Sequence, residues 1–141
     1  MKTEATIAIR QTPAKVFTYL NDVEKIQQWS PVKNMRLLTD GPVGVGSRFT
    51  QTISVLGQNL ESETEITAYD EPNFFALKSI SGPMSFEQHF TLSPTEEGTK
   101  LDAIIEGEPG GLFKLAQPLV APALRKQLQD QLSKLKQLLE G

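Results

Sequence analysis

Gln51 and Gln88 are the residues of this chain whose type and position most suggest chemistry. Each falls on the apolar face of an alternating segment, Gln51 with Phe49, Ile53 and Val55, and Gln88 with Met84, Phe86, Phe90 and Leu92. A carboxamide carried into an apolar interior without partners costs on the order of 1–3 kcal/mol. Each must therefore be satisfied by the other, by backbone, by water or by a ligand. Ser62 and Thr64 share a face in a neighbouring segment and add small hydroxyls to the same side. Apolar walls with a few placed polar groups are what a small-molecule pocket requires. The competing explanation is a self-satisfied core pair, or a bulge that puts the alternation out of phase.

The other candidates carry less. His89 is the only histidine and so a candidate general base, but alternation sets it on the outer face with Glu87. Glu61, Glu63 and Glu65 stand two apart and share one strand face. With no histidine or cysteine to join them, they read as a solvated face rather than a metal site. Gly41, Gly44 and Gly46 have neither the Rossmann nor the Walker spacing, and a strand follows where a helix N-terminus is needed. That loop is a turn. No catalytic residue is assigned, and no cofactor or metal is expected.

These side chains need elements to position them. Thr3 to Arg10 reads as a strand, and Thr12-Pro13 as a capped helix start carrying Val16, Phe17 and Leu20. Asn21-Asp22 interrupts and recaps, and a second short helix ends near Trp29 before Ser30-Pro31. The period then becomes two. Segments Val32–Leu38, Arg48–Leu56, Leu60–Tyr69, Phe74–Ser81 and Met84–Leu92, then a last one with Leu101, Ala103 and Ile105 inward, form an antiparallel meander. A long helix follows the "GEPGG" stretch, from about Leu112 to Leu139. Its second half carries a stripe of Leu124, Leu128, Leu132, Leu135 and Leu139. Its first half is apolar nearly all round, with Pro118 and Pro122 placed to kink or loosen it.

The composition bounds the rest. At 141 residues the chain is read as one domain, 1–141, with enough length for a real core. A net charge of −3 leaves no basic surplus for nucleic acid. The absence of cysteine excludes disulfides, thiolate metal sites and a cysteine nucleophile, and is compatible with a cytoplasmic location. The first ten residues carry charge without an apolar run, so no signal peptide is expected. No apolar stretch approaches the roughly 20 residues of a transmembrane helix, so no stable membrane insertion is expected.

In their order, "IRQTPAKVFTYLNDVEKIQQWSP", "GPVGVGSRF", "EITAYDEPNFFAL" and "FTLSPTEEGTKL" resemble the START/Bet v 1-like (SRPBCC) superfamily, in particular its polyketide cyclase/dehydrase-like branch. The resemblance runs over essentially the whole chain. It implies an α+β helix-grip fold, a curved antiparallel sheet with two short helices and a long C-terminal helix enclosing a cavity. It also implies binding of lipids, polyketides, sterols or other apolar ligands, with the Gly41–Gly46 loop flanking the cavity mouth.

One sheet with one long helix over it can leave space between the layers. The resulting expectation is binding or transport of a hydrophobic small molecule. The expected ligand-lining residues are Trp29, Phe49, Gln51, Ile53, Thr64, Phe86, Gln88, Phe90, Leu115 and Leu119. Trp29 packs the sheet edge or lines the entrance. The surplus apolar face of the helix is left as a lid, a homodimer contact or a membrane-touching patch. Two rivals stand beside this reading. A cyclase or dehydratase would need Tyr19, Tyr69 or His89 to point inward. A protein-interaction module would need a filled cavity and an apolar patch around Phe113 to Val120.

Overall fold

The computed structural model describes residues 2–55, 57–82, 84–109 and 117–141, without the side chains of 55, 84, 108, 109 and 117–121. The first strand, β1 (Lys2–Ile9), runs into Thr12, whose hydroxyl accepts from the Lys15 amide at 3.3 Å. Pro13 opens α1 (Pro13–Leu20) at a position where its missing N–H costs nothing. The helix stops at Asn21, whose side-chain amide donates to the Phe17 carbonyl at 3.0 Å. Asp22 then caps α2 (Val23–Trp29), accepting from the Glu24 amide at 3.0 Å.

From Val32 the chain is a meander of β2 (Val32–Leu37), β3 (Arg48–Val55), β4 (Gln58–Asp70), β5 (Phe74–Ser81), β6 (Met84–Pro94) and β7 (Thr99–Pro109). All neighbours pair antiparallel in one seven-stranded sheet of order β1-β7-β6-β5-β4-β3-β2, so the first strand returns beside the last. The loop before β3 is a turn, with Gly41 at φ 90° and Gly46 at φ 91°, and with the Ser47 hydroxyl accepting from the Gly44 amide at 3.0 Å. Register shifts interrupt β2 between Lys33 and Arg36, and β4 between Glu63 and Thr64 and between Ile66 and Ala68. Such irregularities bend a strand and increase its twist. The shift after Ile66 also changes phase. Ser62, Thr64 and Ile66 are buried by strict alternation, yet beyond the shift it is Tyr69 that turns to the core, its ring centroid 5.1 Å from that of Phe17.

The last helix, α3 (Gln117–Glu140), lies against this sheet. The expected start near Leu112 falls outside the described residues. Pro122 lies inside the helix, where it removes one intrahelical hydrogen bond. Leu128, Leu132, Leu135 and Leu139 are all but fully buried, in one cluster with Ile9, Leu101, Phe17 and Leu20. Polar contacts fasten the same end. Glu140 accepts from the Arg10 amide at 3.0 Å and from Lys136 at 2.7 Å, and the Gln11 amide donates to the Leu139 carbonyl at 2.7 Å. The core thus concentrates under the last turns of α3, and the earlier turns pass over a looser region.

Candidate functional site

That looser region is a cavity of about 110 Å³. One buried water needs roughly 10–15 Å³ of such space, so the cavity corresponds to several waters or one compact organic molecule. Its floor is built from cross-strand rows. Leu77 of β5, Gln88 of β6 and Ile105 of β7 stand side by side, and Phe75 and Phe90 form the next row with ring centroids 4.8 Å apart. Gln51 of β3 stands beside Ser62 of β4, and Ile53 beside Leu60. Leu20, Ile26 and Trp29 close the side formed by the short helices. Leu124, Gln127 and Gln131 of α3 lie across from the sheet.

Two polar arrangements differ in how they are satisfied. Gln51 is 8% exposed and engaged at both ends of its amide within the protein: its nitrogen donates to Ser62 Oγ at 3.2 Å, and its oxygen accepts from Thr64 Oγ1 at 3.3 Å. Gln127 donates to the Ser54 carbonyl at 2.8 Å, tying α3 to the end of β3. Gln88 and Gln131, by contrast, line the cavity, and among the described residues no side-chain hydrogen bond engages either amide. The Trp29 indole nitrogen is buried and has no hydrogen-bond partner among the described residues.

Among the described residues that line the cavity, none carries a titratable side chain. Of the residues on which the catalytic alternative depends, Tyr69 does turn inward, onto Phe17, but none of Tyr19, Tyr69 and His89 lines the cavity. His89 is paired in the sheet with Ala76 and Ile104, its Nε2 lying 3.5 Å from Glu87 Oε2, as alternation places it. The Tyr19 hydroxyl donates to Gln28 at 3.2 Å. Tyr69 packs on Phe17, and burial first, with the nearby Glu71 charge second, raises its phenol above the ordinary 10.0. Glu61, Glu63 and Glu65 sit on the face opposite Ser62 and Thr64. No group of three or more His, Cys, Asp or Glu among the described residues is arranged to hold a metal.

Of the residues singled out from sequence, Trp29, Gln51, Ile53, Thr64, Phe86, Gln88 and Phe90 line this space. Phe49 does not. It is buried at 4% exposure beside Leu37 and Thr64, one inward step along β3 beyond Gln51, and is not in the lining although Thr64 is. Leu115 lies outside the described residues, and so does the side chain of Leu119. The Gly41–Gly46 loop contributes nothing to the lining. Leu77 and Ile105 were missed, although each directly flanks Gln88 across the strands. Gln127 and Gln131 were missed too, although with Leu124 they share one helix face at i, i+3 and i+7.

A curved antiparallel sheet, two short helices between its first and second strands, and a long helix packed over a partly hollow interior make a helix-grip fold. The chain belongs to the family described as polyketide cyclase / dehydrase and lipid transport, whose model matches residues 1–140. Comparison with curated protein sequences gives no match. Among solved structures it is similar to the protein TTHA0849 from Thermus thermophilus, at 18% identity and a TM-score of 0.84 over 97% of this chain and 95% of that one. A START superfamily protein from Mycobacterium smegmatis matches at 19% identity and a TM-score of 0.84, over 99% and 97%. Ara h 8.0201 matches at 16% identity and a TM-score of 0.71, over 99% and 97%. No helix among the described residues is long and apolar enough to cross a membrane.

Proposed function

We propose that this protein, acting as one domain over residues 1–141, binds or carries a hydrophobic small molecule between the sheet and α3. The observation that carries this reading is the hollow over the row Leu77–Gln88–Ile105, walled by Phe75, Phe86, Phe90 and Trp29. Burying apolar ligand surface there at roughly 25 cal/mol per Å² supplies affinity without many polar contacts. The family description includes lipid transport, which agrees with it. Trp29 is the only tryptophan and stands in the cavity wall, so its emission reports occupancy. Titration with an environment-sensitive naphthalene dye should give saturable binding near one equivalent with a change in Trp29 fluorescence. Dye binding that never saturates would overturn the reading.

A further inference from the structure

We infer that the molecule held here is uncharged and carries a neutral hydrogen-bonding group, such as a carboxamide, hydroxyl or ketone, rather than an ionised carboxylate, phosphate or amine. The inference rests on the cavity-binding reading above and narrows its ligand class. The polar side chains among the described lining residues are amides (Gln51, Gln88, Gln127, Gln131), the hydroxyls of Ser30, Ser62 and Thr64, and the Trp29 indole N–H, all of them uncharged. None of them can supply a compensating charge. A charge moved from water into an apolar site without a partner of opposite sign pays a desolvation penalty of several kcal/mol or gives up its ionisation. A neutral polar group meets no such penalty if a partner waits for it.

Gln88 is placed to be that partner. It sits on an interior strand with Leu77 and Ile105 as its cross-strand neighbours, and its amide is free of side-chain bonds among the described residues. Gln51, three strands away on β3, is already held by Ser62 and Thr64. A carboxamide offers both a donor pair and an acceptor, so Gln88 can serve a carbonyl or a hydroxyl equally well. Gln131, equally unengaged, faces the same space from α3. The arrangement selects for neutral polarity at one point of an otherwise apolar molecule.

The test uses an isosteric pair, 2-naphthamide and 2-naphthoic acid, titrated into the full chain by calorimetry with Trp29 emission as a second readout. The amide should bind near one equivalent with an affinity that does not change between pH 5.5 and 7.5. The acid, whose pKa is near that of other carboxylic acids at about 4, should weaken about tenfold for each pH unit over that range, because only its neutral form enters. Gln88→Leu should weaken the amide about tenfold while leaving 2-methylnaphthalene unchanged or tighter. Acid binding as tight as the amide and flat with pH would overturn the inference and leave the cavity reading standing. Binding of none of the three naphthalenes would overturn the cavity reading and the inference with it.

Discussion

At the scale of single residues, Gln51 and Gln88 look identical in sequence, each an amide among aromatic and aliphatic neighbours on an inward strand face. The fold separates them. Gln51 is part of a closed set with Ser62 and Thr64, at 3.2 and 3.3 Å, on adjacent strands. Its role is therefore to satisfy the hydroxyls of two residues that are 6% and 2% exposed, as well as itself. Gln51→Leu leaves both hydroxyls buried without their partner and should destabilise the protein by about 1–3 kcal/mol in urea unfolding. A loss within experimental error would mean that cavity water, not Gln51, satisfies Ser62 and Thr64. Gln88→Leu should cost much less, since it breaks no side-chain bond among the described residues and adds apolar contact. The two substitutions together separate an amide that builds the wall from one that faces the contents.

At the scale of elements, the attachment of α3 to β1 is polar at its end and apolar along its length. Lys136 and the Arg10 amide both reach Glu140, and this holds its carboxyl below the ordinary 4.5, the Lys136 bond being the larger cause. A carboxyl depressed on folding stabilises the native state above its unfolded value, and that contribution disappears as pH falls through the lower folded value. Glu140→Gln should therefore lower the melting temperature at pH 7, by a small amount because the group is exposed. The gap between variant and wild type should shrink as the pH is taken below 4.5 and close only below the lower folded value. A gap that persists unchanged in acid would show that packing of the side chain, not its charge, fastens the helix end. These elements were readable in advance because their signals are local. Thr12-Pro13 and Asn21-Asp22 are capping chemistry, and Met84 to Leu92 is a clean alternation. Less could be read where the determinant is non-local. The phase change after Ile66 depends on how β4 registers against β5, and which member of the Phe49–Thr64 pair borders the cavity depends on packing between distant segments. Neither is written in the spacing of one segment.

For the molecule as a whole, the question is whether binding belongs to the hollow between layers or to an exposed surface. Among the described residues the exposed large apolar side chains are Leu38, Val45, Ile80 and Leu138, and none of them lines the cavity. A ligand seated inside contacts β5, β6, β7 and α3 together, so its affinity adds to the stability of the fold. At a ligand concentration 100 times Kd the gain is about 2.7 kcal/mol. For a chain of this size that is a rise in melting temperature on the order of 5–15 °C. Ile105→Phe tests the location. Ile105 is partly buried and borders free space beside Gln88, so the larger ring enters a void rather than a packed contact. The overpacking cost of about 1–3 kcal/mol seen in filled cores should be largely absent. The variant should fold with unchanged or higher stability and lose the ligand-induced rise, because the added ring occupies the ligand's place. If the rise survives with Ile105→Phe folded, the dye and the naphthalenes bind outside the sheet–helix space, and the hollow is a packing defect with no occupant.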